Sequence, residues 1–274
     1  MPNRLPKRPL KVELRHRINA GRVAVQAQTA FFKGQFGSVE AQWKEDDTRV
    51  TFADFAISEK LFADLRTDFP GDDFCSEEST PEDEIARLGG DFAWVLDPID
   101  GTNNFYLGLP FCAISLALLH EGRPVYGFVY DFARDVIIEG GPGFDLLDGR
   151  RRIRPNAAPF GRHGVCGLHF PMRADMLAAL TPLMRERRVR CFGSCALNTA
   201  YAALGKIDGT IDGHVHVWDI AGVHALIAAA GGQFHFLSAD PFPMTSFRVK
   251  TPPLRFFAGS VGFCEWVKAQ VPLV

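Results

Sequence analysis

No apolar run in the 274-residue sequence is long enough to cross a bilayer as a helix, which takes about 20 residues. No membrane partner is therefore expected. A strong net charge is also missing: 30 Lys and Arg stand against 32 Asp and Glu, leaving −2. Nothing global draws the chain to nucleic acid or to an anionic surface, so no nucleic-acid partner is expected. An anionic small molecule would have to be attracted locally. The stretch from Met1 to Arg17 is rich in Lys and Arg, but Leu5, Leu10, Val12 and Leu14 interrupt it and no signal-peptide core follows. It reads as a solvated lead-in to a first helix, and a cytoplasmic location is expected. The six cysteines contain no CxxC pair. Cys191 and Cys195 fit one helix face, yet no histidine stands at ligand spacing, so reduced thiols are expected. The glycine-rich Gly140-Gly141-Pro142-Gly143 lacks the Lys-Ser/Thr that would complete a phosphate loop. No internal repeat is visible. What remains is an ordinary globular composition, 47% hydrophobic and 23% charged, long enough for one large domain or two closely joined halves.

The most informative stretch runs from Trp94 to Phe105. Ala93 to Leu96 read as a short buried strand that should end at Asp97-Pro98, because proline cannot donate to a sheet ladder. Asp97 and Asp100 are then delivered three residues apart on a turn. Gly101-Thr102-Asn103 supplies a flexible glycine and polar side chains that cap or start a helix. Backbone N–H groups at such a start suit a phosphate oxygen, and the carboxylates suit hard cations. Taken alone, Asp-Pro and Asp-Gly are common turn dipeptides.

Around this stretch the pattern is helical from Pro9 to Phe32, with a loop or helix end at Gly34 to Gln42 and a polar hairpin-like segment from Lys44 to Thr51. A second amphipathic helix opens at Thr51 to Asp54 and stops near Pro70-Gly71. Asp73 to Ser76 is a short strand ending on Glu77-Glu78-Ser79. Strands are expected at Phe111 to Leu119, Val125 to Tyr130 and Asp135 to Glu139, with a hairpin turn at Asp148-Gly149-Arg150. A boundary near residue 153 separates an α+β half (1–152) from an α/β half (153–274). In the second half, strands are expected at Val165 to Phe170, Val189 to Phe192, Ile207 to Ile211, His214 to Val217, Gln233 to Leu237 and Arg255 to Ala258. Helices are expected over Arg173 to Arg187, Cys195 to Leu204, Trp218 to Ala230 and Val261 to Ala269. Asp219 would be the N-cap of the third of these, which Gly231-Gly232 terminates.

Three separated motifs together resemble the inositol monophosphatase family. They are Glu77-Glu78-Ser79, then Asp97-Pro98-Ile99-Asp100-Gly101-Thr102 twenty residues on, and finally Trp218-Asp219-Ile220-Ala221-Gly222 before an apolar helix and Gly-Gly. The resemblance covers nearly the whole chain. It implies the layered αβαβα sandwich of that family and of fructose-1,6-bisphosphatase, and hydrolysis of a phosphate monoester by metal-activated water. Oxygen-only ligands favour Mg2+, with two or three ions per site.

By the same resemblance Glu77, Asp97 and the Ile99 carbonyl hold a first ion, and Asp97, Asp100 and Asp219 a second. A third is held chiefly through Glu77. Thr102, with Glu77 or Asp54, orients the attacking water. The amides of Gly101 and Thr102 receive the phosphate, with Asp100 beside them. Gly193, Ser194, Cys195 and Asp212 line the substrate pocket, and Lys44 and Glu78 support the ligands from behind. Asp212 stands where the family has a glutamate for the inositol hydroxyls, one methylene shorter. The leading substrate is an inositol monophosphate or a similar polyol or sugar phosphate. Fructose-1,6-bisphosphate, histidinol phosphate and 3′(2′),5′-bisphosphate nucleotides are the alternatives on the same scaffold. A regulatory, partner-binding protein of the same fold is the alternative outside enzymes. A homodimer and sensitivity to lithium are further family expectations.

Overall fold

The computed structural model describes residues 9–43, 49–78, 84–154 and 160–272. Helix α1 (Leu10–Gln35) is followed by a short antiparallel hairpin, β1 (Ala41–Trp43) and β2 (Arg49–Thr51). Lys44 and the rest of the hairpin connection lie outside the described residues, as does Ser79 of the first acidic motif. Helix α2 (Phe52–Asp68) starts where Thr51 accepts from the Ala53 amide while Asp54 accepts from the Thr51 amide, a reciprocal capping box.

Strands β3 (Asp73–Ser76), β4 (Ala86–Arg87) and β5 (Phe92–Asp100) lead to the six-residue helix α3 (Thr102–Leu107). An antiparallel run follows: β6 (Ala113–His120), β7 (Arg123–Asp131), β8 (Val136–Gly140), β9 (Leu146–Asp148) and β10 (Arg151–Ile153). The remaining elements are β11 (Val165–Leu168), α4 (Ala174–Glu186), β12 (Arg188–Arg190), α5 (Cys195–Ala203), β13 (Gly209–Val215), α6 (Val217–Ala229), β14 (Gln233–Phe236), β15 (Ser246–Phe247), β16 (Leu254–Gly259) and α7 (Val261–Gln270).

Two large sheets result. The first has seven strands in the order β10-β9-β8-β7-β6-β5-β3, and the second has five, β12-β11-β13-β16-β14. Side-chain alternation divides the first sheet cleanly, as a period of two requires. Trp94, Leu96, Ile114, Leu116 and Phe128 face α1 and α2, joining Val25, Phe32, Ile57 and Leu61 in one buried cluster. The opposite face carries smaller residues, among them Ala113 and Val129, which join α5, α6 and the inner face of the second sheet (Val215, Phe256, Ala258). Helices α4 and α7 cover the far face of that sheet through Leu180, Leu183, Phe263 and Val267. The layers run helix, sheet, helix, sheet, helix, the αβαβα sandwich expected.

The small residues between the first sheet and α6 matter for position. A Cβ on Gly127 would lie 2.0 Å from the Gly222 carbonyl oxygen, so only glycine lets α6 descend this far onto the sheet. Helix α5 is tied down separately. The Tyr201 hydroxyl donates to the fully buried Asp131 at 2.8 Å, and Arg134, itself bonded to Asp148, closes on the same carboxylate.

Three sequence expectations are corrected. Strand β5 does not stop at Asp97-Pro98 but continues to Asp100. Asp97 pairs with Ser115 and Asp100 with Ala113, so three steps on β5 oppose two on β6. Pro98 lies in the resulting bulge, where a missing ladder N–H costs little. Similarly, the two pieces expected at Ile207 to Val217 are one strand, β13, with a bulge between Asp212 and Val215. Helix α6 starts at Val217, which puts Asp219 in its first turn, not at the N-cap, with its Oδ2 accepting from the His216 amide at 2.6 Å. The small pair β4 and β15, antiparallel to each other, had no expected counterpart.

Candidate metal centre and active site

Both bulges face the seam between the two sheets. The first turns Asp97 and Asp100 inward, and the first turn of α6 brings Asp219 to meet them. One carboxylate oxygen from each of the three lies within 4.8 Å of the other two. Asp97 and Asp100 are 3% and 5% exposed, while Asp219 is half-buried. Glu77, half-buried just past the end of β3, acts on this cluster from the side.

Burial and mutual repulsion set the electrostatics of the cluster. Burial pushes the Asp97 carboxyl well above its ordinary range, and Asp100, Glu77 and Asp219 each push it further. Every neighbour that bears most on Asp97 is another carboxylate. Asp219 is likewise raised, first by burial and then by Asp100 and Glu77, with the His216 amide opposing. Burial moves Asp100 from 3.8 up to about 6, opposed chiefly by the Ser194 hydroxyl. Like charges packed out of water at this density could be balanced by a bound cation, and an all-oxygen donor set of this kind suits a hard divalent one.

Asp100 is also the hinge between the two halves of the site. Its Oδ2 accepts from the Ser194 hydroxyl and, at 2.9 Å, from the Ala196 amide, while Oδ1 accepts from the Cys195 amide at 3.2 Å. Those donors are the first turn of α5, whose dipole favours an anion there. Of roughly four lone-pair positions on a carboxylate, three are filled, leaving one on Oδ1 for a further partner.

Gly101 has φ +86°, and a Cβ there would meet the Phe111 carbonyl oxygen at 2.8 Å and the Gly193 oxygen at 3.2 Å. The β5–α3 turn and the Gly193-Ser194 turn therefore touch. Asn104 fastens them, donating to the carbonyls of Phe111 and Phe192, both at 2.7 Å. The Thr102 hydroxyl donates to the Ile99 carbonyl at 2.9 Å. Cys195 is buried in the first turn of α5, its thiol raised by burial and then by Asp212, Asp219 and Asp100.

Asp212, 1% exposed, lies beyond Cys195. Its Oδ1 accepts from the His214 amide at 3.0 Å. Asp54 is buried at the start of α2, bonded to both the amide and the hydroxyl of Thr51 at 2.7 Å. Glu78 is half-buried, its amide directed to the Ser76 hydroxyl at 3.4 Å.

Two residues near the site have no counterpart in the sequence reading. Asn104 lies two residues past the second motif, and its doubled donor role depends on a turn 88 residues away. His169 follows β11 and acts on both Asp100 and Asp212. Neither sits at a spacing that marks it.

An αβαβα sandwich with carboxylates gathered where its sheets meet is a scaffold that could hold a divalent cation. The family model described as the inositol monophosphatase family matches residues 12–256. The chain belongs to the inositol monophosphatase family, whose members are phosphomonoesterases.

Among its relatives, an inositol-1-monophosphatase of Mesorhizobium japonicum is 33% identical over 205 residues, 73% of this chain and 76% of that one. The Nus factor SuhB of Escherichia coli is 31% identical over 201 residues, 71% and 74% of the two chains. Of solved structures, SuhB from Mycobacterium tuberculosis aligns with TM-score 0.73 at 28% identity, covering 94% of this chain and 95% of that one. SuhB from Bartonella henselae aligns with TM-score 0.80 at 25% identity, covering 93% and 98%.

Proposed function

We propose that this chain is a Mg2+-dependent phosphatase acting on the phosphate monoester of a polyol or sugar, inositol monophosphate foremost. The observation that carries the reading is the cluster of buried Asp97 and Asp100 with half-buried Asp219, only further carboxylates bearing most on Asp97. Glu77, Asp97 and the Ile99 carbonyl would hold one ion, and Asp97, Asp100 and Asp219 another, with a third reached through Glu77. When bound, such ions supply positive charge against the phosphoryl oxygens and lower the pKa of water.

The protein's own groups do the rest. Asp100 is held in one orientation by three donors, so its remaining lone pair is aimed before any ligand arrives. The amides of Gly101 and Thr102 lie beside it and would receive phosphate oxygens. The Thr102 hydroxyl is fixed by the Ile99 carbonyl and would position the attacking water, with Glu77 as its proton acceptor. Asp54, pinned in its capping box, would act by fixing the β2–α2 junction. Gly193, Ser194, Cys195 and Asp212 would face the alcohol half of the substrate.

The likeness to chains named Nus factor SuhB supports a second, regulatory role on the same scaffold. The test is phosphate release from inositol 1-phosphate, fructose 1,6-bisphosphate, histidinol phosphate and 3′-phosphoadenosine 5′-phosphate. Release is expected to be greatest from inositol 1-phosphate, abolished by EDTA and restored by Mg2+. No release from any of the four by protein that still binds Mg2+ would overturn the phosphatase reading and leave the regulatory one.

A further inference from the structure

Three parallel strands of the second sheet, β12, β11 and β13, end at the same edge. The carboxyl ends of neighbouring parallel strands are where open α/β sheets hold ligands. Strand β12 runs out into Phe192-Gly193-Ser194 and so into the hinge on Asp100. The register between β11 and β13 pairs Leu168 with Ile211, so the next residues, His169 and Asp212, emerge side by side.

Nδ1 of His169 lies 3.4 Å from Oδ2 of Asp212. Both atoms are buried and neither has a hydrogen-bond partner, so each is the nearest polar group available to the other. The other oxygen of Asp212 is taken by the His214 amide. A carboxylate 1% exposed, with one oxygen taken and the other turned toward the ring, offers little edge to a substrate hydroxyl. The imidazole differs: its side chain is 25% exposed although Nδ1 is buried, so the exposure belongs to the rest of the ring.

We infer that His169, oriented by Asp212, is the residue that recognises the alcohol half of the substrate, and that Asp212 acts through it. The inference rests on the phosphatase reading and names the determinant within that pocket. With Nδ1 turned to the carboxylate, Nε2 is the ring's remaining polar atom and can hydrogen-bond a hydroxyl. A hydrogen-bonding group at this place favours an alcohol that carries further hydroxyls.

The test compares inositol 1-phosphate with p-nitrophenyl phosphate, which has no hydroxyl to offer. In H169A the ratio of kcat/KM values, first substrate over second, is expected to fall about tenfold or more, as the loss of one well-placed hydrogen bond predicts. H169Q, which keeps a polar group on a longer side chain, should recover part of that ratio and serves if H169A does not fold. D212N should move the ratio in the same direction, and H169A/D212N should be no worse than H169A alone, because the two act as one unit. An unchanged ratio in H169A, or additive losses in the double variant, overturns the inference and returns direct contact to Asp212. If the wild type hydrolyses neither ester, the phosphatase reading is what fails. Calorimetric binding of inositol 1-phosphate with Ca2+ then decides for His169. Weaker binding by H169A supports the inference, while equal binding, or none by the wild type, overturns it.

Discussion

Asp219 shows how one side chain serves two demands. Its Oδ2 accepts from the His216 amide and settles the first turn of α6, while its charge faces Asp97 and Asp100. Asp219→Asn keeps the shape and can keep an acceptor for that amide, but it removes a full negative charge from the cluster. We expect it to fold with a Tm no lower than that of the wild type, because like-charge repulsion is relieved, and to lose at least 10²-fold in kcat/KM by weakening cation binding. Wild-type turnover in this variant would remove Asp219 from the metal site; thermal denaturation and steady-state kinetics measure both effects. At this scale the sequence was informative where chemistry is local. Asp97, Asp100 and Asp219 are singled out by separated motifs taken together, and the fold brings their carboxylates within reach of one another. His169 is not legible, since its meaning comes from a neighbour on another strand, 43 positions away in register with it.

Among the elements, helix boundaries follow from the sequence to within a few residues wherever caps are explicit, as at Thr51 and at Ser260, which accepts from the Phe263 amide. Bulges do not follow. The extra residue in β5 and the one in β13 are set by the partner strands, and no one-dimensional pattern contains them. The approach of α6 to the sheet is equally a two-body property, since it needs Gly127 and Gly222 together. Gly127→Ala would force its methyl to within 2.0 Å of backbone that cannot move aside. We expect a loss of about 1–3 kcal/mol from overpacking, and a fall in Mg2+ affinity, because α6 carries Asp219 with it. Thermal unfolding and a metal titration together test this; a stable variant with unchanged affinity would show that the helix does not set the position of the acid.

The whole molecule carries an electrostatic cost, and pH reveals it. Asp97, Asp100 and Asp219 are all raised on folding, so the metal-free native state binds protons that the unfolded chain has already lost. Their contribution to stability is fully present below the ordinary value of 3.8 and is lost as pH rises through the folded values, about 6 for Asp100 and well above 3.8 for the other two. Two results are expected. Metal-free wild type should lose more Tm than D97N between about pH 4 and pH 7, and Mg2+ should raise the wild-type Tm more at the upper end of that window. Parallel curves for the two proteins would show that the cluster carries no such cost.

The hinge at Asp100 has a consequence of another kind. The acids that would handle phosphate rest on the first sheet and α6, whereas His169, Gly193, Ser194 and Asp212 hang from the ends of three strands in the second sheet. The two groups meet through one carboxylate and the first turn of α5. Changes at His169 or Asp212 would thus bear on which alcohol is accepted while leaving in place Ser194 and the first turn of α5, which hold Asp100. Such an arrangement gives a lineage one hydrolytic machine and a separately adjustable appetite.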